Sequence, residues 1–188
     1  MKEKKLPSWI KHALVYRFFQ SKSGRILSNW VFQGMLYMNS VEVAYKFALD
    51  VGMTVLLWIV FFHDDSLWAI IGAFIIAHTI NWLINCQPIA LARHIDWGRN
   101  DPYKFIDYIE KMHARTQRHE FLSASAAYGS LSVGNYKPTS DIDIRVIMRP
   151  GFFNMIRSAN YCFTERVRAA FQRFPLDLYA FTLDETLK

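Results

Sequence analysis

Two aspartates, Asp141 and Asp143, occupy alternate positions in the segment DIDIRVI (141–147). Strict alternation of polar and apolar residues predicts a β-strand, on which residues i and i+2 project from the same face. Two carboxylates on one face can share a hard cation such as Mg²⁺, which proteins usually hold through one or two carboxylates together with substrate phosphates. A third carboxylate, Asp177, stands in a later apolar segment, LDLYAF (176–181), and would complete a two-metal site.

The loop before this strand is rich in Gly, Ser, Asn and Pro and begins at Gly129-Ser130. Because glycine lacks a Cβ atom, backbone N–H groups beside it can approach a phosphate closely, and the Ser130 hydroxyl adds a donor. The pattern therefore predicts a site for a phosphate and a metal ion. The alternative is an ordinary turn followed by a charged surface strand, because a glycine-serine turn and a DxD strand are each common alone.

Three strands and a helix are predicted to position these residues. FLSASAAY (121–128) is typical of a short buried strand, and DIDIRVI and LDLYAF form the second and third strands. A helix is predicted between Gly151 and Pro175, and Arg166 falls largely outside its apolar stripe. The stripe consists of Phe152, Ile156, Ala159, Phe163, Val167, Ala170 and Phe174.

The first half of the chain contains two segments without formal charge, residues 51–62 and 67–84. A helix needs about 20 apolar residues to span the hydrocarbon core of a bilayer. The second segment has nearly this length by itself, and the first reaches it if its helix begins near Ala44. Since only the link HDDS separates them, we expect an antiparallel transmembrane hairpin over residues 47–87. A buried hairpin in a soluble protein is the alternative.

Polar residues at the ends and within the hairpin have predicted structural roles. Asp65 or Ser66 would cap the second helix by accepting hydrogen bonds from its free N–H groups. His78, Asn81 and Asn85 share one face of that helix. Because polar groups in lipid need partners, we expect this face to pack against the first helix or another membrane protein.

Positive charge is concentrated before the hairpin. Residues 1–46 hold eight Lys or Arg and two acids, a local charge of +6 that equals the net charge of the chain. The HDDS link has no Lys or Arg, so the positive-inside tendency predicts an inner-membrane protein with both termini in the cytoplasm. The basic and aromatic residues of 7–39 predict an amphipathic segment on anionic lipid. Single-stranded nucleic acid is a rival ligand that the adjacent apolar hairpin disfavours.

A connecting helix is predicted to begin at Asp101-Pro102, with the aspartate as cap and the proline in the first turn. Its apolar face consists of Phe105, Ile106, Ile109 and Met112. The sequence thus predicts an α+β protein in four parts: a basic amphipathic segment, a transmembrane hairpin, a connecting helix and a small α+β unit. Their boundaries are 1–46, 47–87, 88–120 and 121–188.

The motif spacing of residues 120–183 resembles that of the DNA polymerase β-like nucleotidyltransferase superfamily, especially its minimal nucleotidyltransferase branch. That branch has a Gly-Ser, a second glycine and a Ser-Asp-Ile-Asp at matching intervals. Here these are Gly129-Ser130, Gly134 and Ser140-Asp141-Ile142-Asp143. The family's third acid, on the strand after the next helix, corresponds to Asp177.

The resemblance implies a mixed sheet with flanking helices and transfer of NMP from an NTP such as ATP to an acceptor, with release of pyrophosphate. It implies that Asp141, Asp143 and Asp177 are the catalytic residues and hold two Mg²⁺ ions, with Mn²⁺ as the alternative. Nucleotide and phosphate contacts would come from Gly129, Ser130, Gly134, Lys137 and Ser140, although a solvated loop lysine is an equally good interpretation of Lys137.

One position departs from the family pattern. Minimal members often carry an arginine just before the second glycine, where this chain has Val133. Phosphate contact on that side would be weaker, or supplied by Lys137 or a partner. The expected partners are an NTP, membrane lipid, and a second copy or another membrane protein. A catalytically idle subunit of a membrane complex and an antitoxin-like regulator are the alternative functions, and the acceptor is left open.

Overall fold

The computed structural model of this chain describes residues 13–62, 66–94, 101–130, 132–135, 137–138 and 140–183. It has the predicted α+β composition, with helices throughout the first half and a small mixed sheet in the second. The helices are α1 (Ala13–Gln20), α2 (Lys22–Phe32), α3 (Ser40–Leu57), α4 (Leu67–Ile84), α5 (Gln87–His94), α6 (Pro102–Gln117) and α7 (Phe152–Gln172). The strands are β1 (Leu122–Ala127), β2 (Ile142–Met148) and β3 (Leu176–Phe181).

The sheet has the order β1-β2-β3, in which β1 is antiparallel and β3 parallel to β2. A parallel pair needs a crossover connection, and α7 supplies it between β2 and β3. One face of the sheet packs against α6 and α7 to form the main core. Its buried members include Phe105, Tyr108, Met112, Ile142, Ile144, Val146, Tyr161, Cys162, Leu176 and Leu178.

The predicted alternation of the second strand is confirmed, because burial along β2 alternates residue by residue. The prediction that the first strand is buried is wrong: Leu122 is its one buried residue, and most of the others are exposed. β1 is an edge strand with a register shift between Leu122 and Ala124, and its Ala and Ser side chains are too small to bury much apolar surface. The strand nevertheless leads the chain directly to the turn at Gly129.

The apolar half forms the predicted antiparallel helical pair. The helix of α3 begins at Ser40, earlier than expected, because the Asn39 side chain caps it, and a π-helical turn extends it to Phe62. Ser40–Phe62 and Leu67–Ile84 are both long and apolar enough to cross a membrane. Ser66 caps α4 by accepting a hydrogen bond from the Ala69 amide, while Asp65 lies outside the described residues.

The polar face of α4 packs against α3, as predicted. His78 Nδ1 lies 2.7 Å from Asp50 Oδ2, and Asn81 donates to Asp50 Oδ1 at 2.6 Å. Asn85 in turn donates to Asn81. Asp50 and His78 are both buried, so this network links the two helices away from water.

The basic amphipathic segment is only partly described, because residues 1–12 lie outside the described ranges. Within it, Arg25 and Lys46 are buried, and Lys46 Nζ donates to the Gln33 carbonyl at 2.6 Å. These two cations therefore serve contacts inside the protein. The charge of the segment does not all face a membrane surface.

The connecting helix is confirmed as α6, which Asp101 caps through the Tyr103 amide. Of its predicted apolar face, Phe105 and Met112 are buried, Ile109 is partly buried and Ile106 is exposed. Tyr108 is buried in its place. The face is thus rotated slightly from the predicted one.

Candidate active site

The site lies on the face of the sheet opposite to α6 and α7, and we call this the acid face. It comprises Asp141 before β2, Asp143 and Arg145 on β2, and Asp177 on β3. Asp143 and Asp177 are direct partners in the parallel register of β2 and β3. Paired residues project to the same side of neighbouring strands, which lie about 4.8 Å apart. The fold therefore brings together two acids that are separated by the whole of α7.

The turn at Gly129 lies directly against the Asp143 carboxylate. Gly129 has φ +69°, and a Cβ atom built on it would be 2.3 Å from Asp143 Oδ2. The preceding residue, Tyr128, donates its amide hydrogen to the Asp143 carbonyl at 3.0 Å. The glycine is thus required both by its backbone conformation and by the close approach of the carboxylate.

The rest of the loop is held by its own hydrogen bonds. Ser132 donates to the Gly129 carbonyl at 3.0 Å, and the Asn135 amide donates to the Ser130 carbonyl at 2.9 Å. The buried Ser140 hydroxyl accepts from the Lys137 amide at 3.1 Å, closing the turn that leads into β2. Ser140 therefore shapes the loop, whatever contact it makes with a ligand.

The other candidate phosphate contacts are on the outside of this loop. Gly134 has φ +67° and open space where a Cβ atom would stand. Lys137 is exposed. Val133, at the position where the family pattern has arginine, has 74% of its surface exposed. The structure thus brings Gly129, Asp143 and Asp177 together and places Gly134 and Lys137 toward solvent.

Sequence reasoning missed two tyrosines beside Asp177. Tyr179 donates its hydroxyl to Asp177 Oδ1 at 2.6 Å. Burial, reinforced by the Asp177 charge, raises the pKa of Tyr179 well above its ordinary value, so the phenol keeps its proton. The ring of Tyr37 lies 6.2 Å from that of Tyr179, and burial followed by the Asp177 charge also raises the pKa of Tyr37. Tyr179 follows Asp177 by two residues on the same strand face, which is the signal that could have identified it.

Arg145 is the cation of the acid face. Its guanidinium carbon lies 4.3 Å from the ring centre of Tyr128 and 4.9 Å from that of Phe181, so two aromatic rings hold it. Its Nε atom is buried and makes no hydrogen bond among the described residues. Burial is the main cause that raises the pKa of Tyr128 to about 12, which keeps this phenol neutral at physiological pH. Arg145 therefore places an ordered positive charge on the same face as Asp143.

The acid face fits a divalent cation through two carboxylates. Asp143 and Asp177 are register partners, and Mg²⁺ typically takes one or two protein carboxylates with the remaining ligands from phosphates and water. Within the described ranges, no group of three or more His, Cys, Asp or Glu side chains is arranged to hold a metal ion. Asp143 and Asp177 could hold such an ion if its remaining ligands came from a phosphorylated substrate and water.

The contact between Gly129 and Asp143 gives a matched pair of variants. We expect Gly129→Ala to lower the nucleotide transfer that the family resemblance implies on the order of 100-fold, because the new methyl group must displace the Asp143 carboxylate by about an ångström. Gly151→Ala is the control: it also has a positive φ and thus a backbone strain of its own, but its Cβ position meets only the Asn154 side chain at an ordinary 3.5 Å, and it precedes α7, away from the acid face. The two variants are compared by rate and by thermal unfolding. Equal rates would contradict a role for the Gly129 contact.

No protein-family model, curated protein or solved structure matches this chain. The inference of function consequently depends on the residues of the acid face and on how the fold arranges them.

Proposed function

We propose that this protein is a membrane-anchored, Mg²⁺-dependent nucleotidyltransferase that transfers NMP from an NTP to an acceptor at the cytoplasmic face. One observation carries the proposal: Asp143 and Asp177 are register partners on the acid face, and the Gly129 turn packs against the Asp143 carboxylate. This places a glycine turn suited to phosphate beside two carboxylates suited to Mg²⁺. It is the combination that phosphoryl transfer with a nucleotide requires.

Asp143 and Asp177 would hold the metal, with Asp141, directly before the same strand, as the third candidate ligand. A bound magnesium ion would neutralise the charge of the triphosphate and favour deprotonation of the acceptor. The loop from Gly129 would orient the phosphates by backbone N–H groups. The Tyr179 hydroxyl donates to one oxygen of the Asp177 carboxylate and so helps to orient it. These residues position the acceptor oxygen for attack on the α-phosphorus, with pyrophosphate leaving in line.

The anchoring part of the proposal follows from exposure as well as length. In the most apolar stretch of Ser40–Phe62 only 11% of the residues are buried within the protein, and in that of Leu67–Ile84 only 28%. The core helices of a soluble protein would be mostly buried. The exposed side chains of this pair are large and apolar, including Phe47, Leu56, Phe61, Leu67 and Trp68. A bilayer is the medium that suits such a surface.

The direct test is a panel of NTPs labelled at the α-phosphate, incubated with the full-length protein, Mg²⁺ and a membrane extract. We expect label to enter one acceptor fraction for one preferred base, with equimolar release of pyrophosphate and loss of both signals on chelation. The fraction that carries the label, whether lipid, protein or small metabolite, identifies the acceptor. Absence of label and of pyrophosphate across the whole panel, with every base, would defeat the enzymatic proposal.

A catalytically idle subunit of a membrane complex is the second candidate. It is favoured by the absence of a three-acid metal group among the described residues and by Val133 in place of arginine. An idle subunit retains the protein contacts of the fold but has no need of a bound nucleotide. Nucleotide binding without turnover, or no binding at all, would support this function over the first.

A further inference from the structure

The first two turns of α7 expose a group of large apolar side chains. Phe152 and Phe153 have 65% and 75% of their surfaces exposed, and their rings pack edge to face with centroids 5.9 Å apart. Ile156 stands one turn further along and is also exposed. We call Phe152, Phe153 and Ile156 the α7 apolar tip. Phe152 and Ile156 belong to the apolar stripe predicted from the sequence, and the structure leaves this end of the stripe exposed.

The C-terminal part of the stripe packs against the main core, where Phe174 stacks on Tyr108, and its middle part packs against α3. Arg166 binds Glu42 at 2.9 Å, and the Tyr45 ring lies 6.1 Å from that of Phe163. Nearer the start of α7, the Tyr45 hydroxyl donates to Asn160. Later residues of α3 thus contact earlier residues of α7, so the two helices are antiparallel. The α7 apolar tip consequently lies on the side toward which α3 continues into its apolar segment.

The length of α7 explains why its tip extends beyond the sheet. Its 21 residues span about 31 Å, whereas the seven residues of β2 span about 23 Å. The Arg166 side chain bonds to the Leu178 carbonyl within β3, so the C-terminal part of α7 is aligned with the sheet. The excess length is therefore at the N-terminal end, beyond the Ile147–Phe181 pair that marks this edge of the sheet.

The charged residues beside the α7 apolar tip indicate what kind of surface it contacts. Arg149 and Arg157 are exposed on either side of it in the sequence. Beyond its contacts with α7, α3 also exposes apolar side chains such as Val51 and Val55. Aromatic residues flanked by cations are typical of segments that enter the interface of an anionic bilayer. We propose that the α7 apolar tip inserts into the cytoplasmic leaflet, with Arg149 and Arg157 at the lipid phosphates, so that the sheet unit has its own contact with the membrane. This inference depends on the proposed membrane anchoring.

A membrane contact at the tip fixes the distance between the acid face and the bilayer. The Asp143–Asp177 pair lies four residues from the Ile147–Phe181 pair along both strands, a distance of about 13 Å. The reacting group of an acceptor must therefore stand at least that far from the membrane-facing edge of the sheet. A lipid acceptor would need a long head group, such as a glycan or phosphoglycan chain, to reach it.

The test uses single cysteines in the full-length protein, reconstituted in vesicles of zwitterionic and anionic phospholipid. Both native cysteines are fully buried, so an introduced cysteine is the accessible one. An environment-sensitive fluorophore is placed at Phe153→Cys, at Phe171→Cys and at Val60→Cys. Phe171 is the matched control, since it is 81% exposed on the same helix but about 27 Å from Phe153. Val60 is exposed within the proposed span.

We expect the label at position 153 to be quenched by a shallow acyl-chain quencher and protected from aqueous iodide, with position 171 showing the reverse. Quenching by iodide at both 153 and 171, while position 60 reports lipid, would overturn the tip insertion and leave the anchor intact. Protection of position 153 from both quenchers would assign the tip to a protein partner and overturn the lipid contact. Iodide access at position 60 would overturn the anchoring and the inference together.

Discussion

Asp143→Asn is expected to reduce NMP transfer on the order of 100-fold or more while leaving the protein at least as stable as the parent chain. The activity falls because the amide has lost the charge that holds a divalent cation against the triphosphate. The stability is kept, or rises, because Asp143 faces Asp177 directly across two parallel strands. Like charges in that position repel, and removing one relieves the repulsion. Opposite effects on rate and melting temperature are the signature of a site maintained for function.

Three measurements distinguish this result from a general loss of structure. Thermal unfolding of the purified protein reports the stability, and labelled NMP transfer reports the rate. The third is the increase in melting temperature on adding Mg²⁺ with nucleotide, which a bound ligand should produce in the parent and not in the variant. Asp107→Asn is the matched control, because Asp107 is an exposed acid on α6 that pairs with the exposed Lys111 at 2.7 Å. A variant at position 143 that unfolds more easily and retains its ligand-induced shift would contradict the metal role.

The strands that carry the acids could be predicted from the sequence, because burial on one face leaves a period of two. The bounds of the third strand agree with the predicted segment, and the second is displaced by one residue. The pairing of Asp143 with Asp177 could not be predicted in this way. Register depends on how α7 packs and where it ends, and shifting one strand by one residue would put the two acids on opposite faces.

Contacts between residues distant in sequence explain two further features that could not be predicted. Arg166 falls outside the apolar stripe of α7 and would ordinarily be placed in solvent, yet it is buried because Glu42 meets it from a helix that begins far earlier in the chain. The apolar stripe of α7 does not indicate how far its packing partner extends. The exposed Phe152 and Ile156 therefore cannot be distinguished in sequence from the buried Ala159. Neither feature could be predicted, because periodicity reports which residues share a face but not what covers that face.

The ion pair between Glu42 and Arg166 is expected to be a large stability determinant. Both side chains are almost fully buried, and the Arg166 guanidinium also donates to the Leu178 carbonyl, while Glu42 accepts from the Ala180 amide at 3.1 Å. Burial is the largest single influence on the pKa of Arg166 and lowers it, but the Glu42 charge and hydrogen bond, together with smaller contributions from Cys162 and Tyr179, raise it overall, so the guanidinium remains charged. Glu42→Gln would leave that cation buried without its counter-charge, at a cost of about 3–5 kcal/mol.

For a chain of this length the melting temperature should fall by roughly 6–20 °C, measured on the full-length protein in detergent micelles. Removing the exposed Asp107–Lys111 pair by Asp107→Asn should cost less than about 1 kcal/mol. The double variant Glu42→Gln/Arg166→Met should lose less stability than the sum of the two single variants, since the uncompensated charge is then absent. Strict additivity would show that the two side chains do not interact.

The same pair connects the apolar helix α3 to the strand that carries Asp177. Glu42 holds the backbone of Ala180, and Asn39, the cap of α3, donates to the Ala180 carbonyl at 2.8 Å. Ala180 is three residues from Asp177, so loosening this end of β3 should disturb the alignment of Asp177 with Asp143. We therefore expect Glu42→Gln to lose transfer activity even well below its melting temperature, by about 10-fold or more. A variant that is destabilised but fully active when folded would show that the anchor and the acid face are mechanically independent.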